Sequence, residues 1–223
     1  MIVERNTFVN DDCMHIMKYM SDNCVDMTLT DIPFGVVNRH NGLCRNNMDK
    51  GAADIETFNA VDFIKQVYRI TKSNIIVFCA KEQLSDIYKF FVASGGGTTR
   101  QIIWKKTNPP PTNGQYVYLS GIENAVWFHK SGGVFNAFCK NTVFEYSNAV
   151  KGGIHPTEKN HELLKELLID NTNQGDLVFD PCAGSGSTLI CSHELGRDFY
   201  GIEKNKEYYD KALDRMRSIG VIS

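Results

Sequence analysis

The chain has 223 residues, 42% hydrophobic and 22% charged, with a formal net charge of -2; it is long enough for one sizeable domain. No apolar run approaches the ~18 residues a membrane helix needs and no basic-then-apolar leader opens the chain, so membrane and secreted classes are set aside and the cytoplasm is expected. The seven cysteines, at 13, 24, 44, 79, 139, 182 and 191, form no C-x-x-C pair, which argues against a disulfide framework and against a zinc site.

Along the chain, Thr7 to Asn10 ends a first strand, Cys13 to Met20 has helical spacing, and Val25 to Thr30 reads as a second strand. Gly35 to Ile55 is polar, rich in Asn and Gly, and without periodicity, a long loop of the kind that usually serves function. Phe58 to Ile70 reads as a helix, "NIIVFCA" as a buried strand, and "KEQLSDIYKFFVAS" as a helix stopped by Gly95, Gly96 and Gly97. After the strand "QIIW" come a Pro-rich loop, the strand "ENAVWFHK" and a ragged, Gly-rich polar segment. His161 to Asn171 is a helix, "DLVFDPC" a strand, Thr188 to Leu195 a helix, "FYGIE" the last strand and Tyr208 to Ile219 the closing helix. Strands separated by helices predict an α/β, doubly wound, mainly parallel sheet.

In such sheets ligands sit beyond the carboxyl ends of strands. Two predicted strand ends carry unusual residues. The first is "LTDIPFG", Leu29 to Gly35, where an acid, a proline and an aromatic follow an apolar run. The second is "VFDPCAGSGST", Val178 to Thr188, where Gly184 and Gly186 allow a tight turn and the next helix offers free amides to a polar ligand. No Lys follows Gly186 as a phosphate loop requires, and Leu189 stands where a dinucleotide loop has its third Gly. Glu203 ends the following strand, where an acid can bind both hydroxyls of a ribose. A nucleoside without a pyrophosphate fits these residues, against the plainer reading of a tight strand-to-helix turn.

"FDPCAGSGST" resembles the S-adenosylmethionine loop of amino-methylating DNA methyltransferases, and "DIPF" resembles their D-P-P-Y catalytic motif. "HPTEKN", His155 to Asn160, is similar to the H-P-T-Q-K-P segment, and "NDDCMHIM" to the N-G-D-C strand end. Their order, with the catalytic motif first, resembles the permuted beta group of DNA adenine N6-methyltransferases. The resemblance implies a circularly permuted, Rossmann-like methyltransferase domain over residues 1–223, with a target-recognition region embedded at about 105–154. It implies S-adenosyl-L-methionine as cofactor and double-stranded DNA as partner, and leaves room for a homodimer and for a restriction enzyme partner. The alternatives are cytosine N4 methylation, or a catalytically weak module that binds cofactor and DNA. The first-place Asp, rather than Ser, leans toward adenine.

An exocyclic amine conjugated with its ring is a poor nucleophile, and hydrogen bonds from its two N–H groups would offset the positive charge it develops. The resemblance assigns this work to the Asp31 carboxylate and the Ile32 carbonyl, with Pro33 fixing the turn and Phe34 offering a ring to an extruded base. Ile32 stands where the family has proline, Phe34 where it has tyrosine, and Asn160 where it has the last proline of its segment. For the cofactor, the resemblance implies Asp12 at the adenine ring, with Asp11 as neighbour, and Asp180 at the methionine amine. It places Thr157 and Lys159 near the methionine carboxylate and His155 nearby, and has Cys13, Phe179, Pro181, Cys182, Ala183, Gly184, Ser185, Gly186 and Glu203 complete the lining. Trp104, Trp127 and Phe128 are read as core. From Arg100 to Ile154 six basic residues face Glu123 and Glu145, a local +4 that leaves -6 elsewhere and suits a polyanion. Lys105, Lys106 and Lys130 there, and Arg39, Arg45 and Lys50 in the long loop, are the candidate DNA contacts.

Overall fold

A computed structural model describes residues 3–34, 58–111, 114–148 and 158–222. The long loop with Arg39, Arg45 and Lys50, and the stretch with Lys151, His155 and Thr157, lie outside the described residues. The elements run β1 (Thr7–Asn10), α1 (Cys13–Met17), β2 (Val25–Asp31), α2 (Ala60–Ile70), β3 (Thr71–Cys79), α3 (Lys81–Ser94) and β4 (Gly97–Lys106). They continue with β5 (Ile122–Lys130), β6 (Val143–Tyr146), α4 (His161–Asn171), β7 (Leu177–Asp180), α5 (Ser187–Glu194), β8 (Asp198–Glu203) and α6 (Lys206–Ser218).

The strands form one eight-stranded sheet in the order β1-β8-β7-β2-β3-β5-β4-β6. All neighbours are parallel except where β5 lies antiparallel between β3 and β4. Alternation along β3 explains the double covering. Ile75, Val77 and Cys79 face a core built with Phe63, Ile64 and Val67 of α2 and Ile87 and Phe91 of α3. Ile76 and Phe78 face the opposite core, built with Leu163, Leu164, Leu167 and Leu168 of α4. A third cluster seats Leu189 and Ile190 of α5 and Met216 of α6 over Phe8 and Phe199. Each of these fully buried side chains contributes roughly 1.5–3 kcal/mol through burial.

Several boundaries differ from the sequence expectation. The helix expected over Cys13 to Met20 ends at Met17. Gly97 does not stop a helix but opens β4, where a Cβ would lie 2.2 Å from the His129 carbonyl oxygen. The ragged polar segment holds β6, four residues whose only buried member is Phe144, too little apolar pattern for a period-2 signal. Trp104 and Phe128 are core, while Trp127 is partly buried and donates its indole N–H to Asn171 Oδ1 at 2.8 Å.

The sheet sets the position of the site. From the β2/β7 pair the chain winds outward through β8 and β1 on one side and through β3 on the other. Asp31 and Asp180, the last residues of β2 and β7, therefore stand together at the switch point, where a crevice opens. Because β5 runs antiparallel, its first residues and the last of β4 lie at this same edge.

Candidate active site

The turn after β2 is fastened from both sides. The Ile32 amide donates to the Phe78 carbonyl at 3.1 Å, and the Ile32 side chain is buried at 2% exposure. The Pro33 carbonyl accepts from Gln83 Nε2 at 2.9 Å, while Gln83 Oε1 accepts the Ala80 amide at 3.0 Å at the start of α3. A proline at position 32 has no N–H and could not make the first of these bonds. Ile32 thus replaces ring rigidity with a hydrogen bond and packing.

Asp31 Oδ2 accepts from Lys159 Nζ at 2.6 Å. Its Oδ1 is buried and accepts no hydrogen bond among the described residues. Burial raises the Asp31 pKa above its ordinary value, with the Lys159 ammonium acting against that rise. An orphaned buried carboxylate oxygen is costly unless a donor arrives, so the position marks where a polar hydrogen of a ligand would fit. Phe34 lies beside it, its ring centroid 5.8 Å from Lys159 Nζ.

The second strand end forms a cradle. Gly186 takes φ +74°, and a Cβ there would sit 3.2 Å from Met216 Sδ, so only glycine fits comfortably. The Ala183 amide donates to Ile202 O at 2.9 Å, tying the loop to β8. Glu203 accepts the Gly184 amide at 2.9 Å on Oε2 and the Asn205 amide at 2.7 Å on Oε1. Asp180 is 4% exposed and accepts the Cys182 amide at 3.1 Å. Burial pushes its pKa up to about 6, so an arriving cation would be met by a poorly solvated acid. Phe179 is buried in the core, whereas Ala183 and Ser185 are buried in the loop itself. Pro181, between Asp180 and Cys182, opens the loop.

Asp12 caps α1, accepting the Met14 amide at 2.8 Å, and pairs with Lys204 Nζ at 3.2 Å. Asp11 Oδ1 accepts the Asp12 amide at 2.6 Å. Asn10 Nδ2 donates to the carbonyls of Glu203 and Lys204 at 2.8 and 3.1 Å. The ends of β1 and β8 are thereby clamped together. Cys13 and Cys182 share a hydrogen bond that, with burial, raises the Cys182 pKa well above an ordinary thiol's. That is the opposite of an activated nucleophile, in keeping with Cys182 as a lining residue.

Three lysines named from the sequence are held by the fold. Lys130 is not at the site's edge: it ends antiparallel β5, roughly 25 Å along the strand from the end that borders the crevice. Its Nζ donates to the carbonyls of Tyr68, at 2.7 Å, and Thr71. Lys106 is at the right edge but only 13% exposed and pairs with Glu123 at 2.6 Å, so it is not free to meet phosphate. Lys159, expected near a methionine carboxylate, lies between Asp31 and Glu123. Lys105 remains exposed, 3.0 Å from Glu145. Asn160 caps α4 by accepting the Leu163 amide at 3.1 Å, a role the family's proline could not fill.

Sequence reasoning missed three residues. Gln83 holds the Pro33 carbonyl, and Glu123 enters the site although it had served only in the charge count. Glu158 is the third: it binds Arg215 at 2.7 Å and Ser187 Oγ at 3.0 Å, joining the start of α4 to α5 and α6. With His161 and Arg215 against it, its pKa falls to about 2. One available signal was an acid in an otherwise apolar strand, "ENAVWF".

A family profile described as DNA methylase, of the N6/N4 type, matches residues 134–214. The Type II methyltransferase M2.DpnII of Streptococcus pneumoniae is 26% identical over 94% of this chain and 89% of its own length. The Type II methyltransferase M2.LlaDCHI of Lactococcus lactis subsp. cremoris is 26% identical over 96% of this chain and 90% of its own length. Among solved structures, M1.HpyAVI in complex with SAM superposes with a TM-score of 0.72 at 27% identity, covering 94% of this chain and 98% of that one. The cytosine-N4-specific PvuII DNA methyltransferase shares the fold, with a TM-score of 0.74 at 16% identity over 96% of this chain and 86% of that one. The fold is that of the S-adenosylmethionine-dependent DNA methyltransferases. Over the matched residues the chain is similar to DNA methylases of the N6/N4 type, and these likenesses mark it as a DNA methyltransferase. Among the described residues no helix is long and apolar enough to cross a membrane.

Two predictions test the geometry. Ile32→Pro restores the family's motif but removes the bond to Phe78 and the buried side chain; it should cost roughly 2–4 kcal/mol in denaturant titrations with no gain in single-turnover rate. A faster, equally stable variant would show that Ile32 is a defect. Asp180→Asn removes a buried charge whose folded pKa lies near 6 rather than 3.8. The wild-type penalty is present above that value and fades as pH falls toward the unfolded one. The ligand-free variant should therefore be more stable at pH 7, by on the order of 1–3 kcal/mol, and the gain should vanish near pH 4 in melts across that range.

Proposed function

We propose that this enzyme transfers the methyl group of S-adenosylmethionine to the N6 amine of adenine in double-stranded DNA. The observation that carries the reading is the buried, unpartnered Asp31 Oδ1 at the switch point, beside a turn fastened at Ile32 and Pro33. The cofactor, when bound, supplies a sulfonium methyl group that is already electrophilic. The chain's part is to hold the amine and to offset its developing charge.

Asp31 Oδ1 accepts one N–H of the amine and the Ile32 carbonyl the other, while Phe34 stacks on the base. A carboxylate raised in pKa by burial is also a suitable first acceptor for the proton the amine gives up. In the cradle, Asp180 meets the cofactor's ammonium and Glu203 its ribose, with Asp12 toward the adenine ring. The residues fit that molecule because a water-poor acid and a glycine turn of positive φ converge there. The Asp of "DIPF" favours adenine over cytosine. The Type II names of the two relatives support a restriction enzyme partner for this chain.

The DNA is placed along the crevice edge formed by the ends of β4 and the start of β5. The segment joining them holds out Tyr116 and Tyr118 at 81% and 103% exposure, ring faces on which unpaired bases can stack.

Asp31→Ala should keep cofactor affinity within a few-fold in calorimetry while methyl transfer falls by orders of magnitude, as expected of a group acting in the transition state. Mass spectrometry of digested DNA should find N6-methyladenine. N4-methylcytosine alone would overturn the substrate, and full turnover by Asp31→Ala the mechanism. Replacing Lys105 by Ala should flatten the salt dependence of DNA affinity by roughly one unit, and Lys130→Ala should leave it unchanged. The reverse pattern would move the interface to the other sheet edge.

A further inference from the structure

Four charged side chains from four parts of the chain form a line into the crevice. Asp31 ends β2, Lys159 precedes α4, Glu123 opens β5 and Lys106 closes β4. Lys159 Nζ lies 2.6 Å from Asp31 Oδ2 and 3.0 Å from Glu123 Oε2. Glu123 Oε1 lies 2.6 Å from Lys106 Nζ. The charges alternate and cancel, and their side chains are 24, 7, 22 and 13% exposed from Asp31 to Lys106. Removing one partner from such a buried set leaves an uncompensated charge.

The line points at one atom. Of the Asp31 carboxylate Lys159 binds Oδ2, while Oδ1 has no hydrogen-bond partner among the described residues. The ammonium is bracketed by aromatic rings, 5.2 Å from the centroid of Phe78 and 5.8 Å from that of Phe34. These contacts fix Nζ on the catalytic side of the crevice, hydrogen-bonded to Asp31 and ion-paired with Glu123. The resemblance would have put this lysine at the cofactor's carboxylate instead.

We infer that Lys159 and Glu123 are positioning residues for methyl transfer: Glu123 holds the Lys159 ammonium on Asp31 Oδ2, which keeps the Asp31 carboxylate charged and turns Oδ1 toward the target amine. This rests on the reading of Asp31 as the group that meets the amine. The groups facing Asp31 are Lys159, Glu123, Lys106, Cys79 of β3 and Asp180 of β7. Cys79, its thiol raised to about 12 by burial first and by Asp31 second, stays neutral. Lys159 is thus the nearest cation in a setting that otherwise favours a protonated Asp31. Burial alone would push the lysine's own pKa down, but Asp31 and Glu123 more than offset this.

The test is the pH profile of single-turnover methyl transfer on DNA, with calorimetry of S-adenosylmethionine on the same proteins. In Lys159→Met, Asp31 loses its cation, so the acid limb should move up by about one unit or more. Activity at pH 7 should fall at least about tenfold and recover as pH rises, with cofactor affinity within roughly threefold. Lys159→Arg should keep the limb near its original place. An unmoved limb, or a tenfold loss of cofactor affinity without a moved limb, overturns the inference; the latter would return Lys159 to the cofactor. If Lys159→Met does not fold, Glu123→Gln serves in its place. Its maximal rate should fall at least about threefold with both KM values unchanged, and an unchanged rate overturns the inference. Asp31→Ala separates the two levels. An active Asp31→Ala defeats the underlying function, whereas an inactive one with an unmoved Lys159→Met profile defeats this inference alone.

Discussion

Asp31 and Asp180 end neighbouring strands in a crevice with little water, and an ionised carboxylate in such a place is unstable unless a cation or several donors face it. The protein meets that constraint differently at each strand end. At β2 the cation is internal: Lys159 is supplied by the segment before α4 and is itself held by Glu123 and, through it, Lys106. At β7, among the described residues, no cation pairs with Asp180, and burial pushes its pKa up to about 6. One acid has a cation set against the effect of burial, while the other has only hydrogen-bond donors. The same crevice thereby offers two subsites with distinct electrostatics.

Much of the surrounding structure keeps these subsites in place. Gln83 ties the turn after β2 to α3, and the Phe78 carbonyl ties it to β3. Glu158 ties the segment carrying Lys159 to α5 and α6. The residue next to Glu158 is Lys159, so the network that seats the glycine loop also seats the lysine that faces Asp31. The glycine loop and Asp31 are thus linked through two consecutive side chains.

The α/β architecture, the two strand ends and their order were legible in the sequence because each depends on local signals. Period-2 apolar runs give the strands, Asn and Gly residues bound the helices, and Asp-x-Pro and Gly-x-Gly mark the turns. Helices α3 and α4 matched the expected limits to the residue. What escaped is what depends on pairing between distant segments. β6 carries one buried residue and exists because β4 offers an edge. The direction of β5 is fixed by its neighbours and cannot be read from "ENAVWFHK"; once it is known to be antiparallel, Lys130 moves to the far edge and Glu123 to the near one.

That reversal bears on how the basic segment is understood. Its net charge of +4 suggested a surface for a polyanion, yet three of its lysines are occupied by the fold: Lys106 by Glu123, Lys130 by carbonyls of α2 and β3, and Lys140 by Glu166 and Asp170. A lysine tied to an acid or a carbonyl partner adds little to the field felt by DNA, whatever it adds to a count. Near the crevice, among the described residues, Lys105 is exposed but itself pairs with Glu145 at 3.0 Å, while Tyr116 and Tyr118 stand exposed in the segment that joins β4 to β5. The composition of the segment therefore overstates the free positive charge that this edge presents.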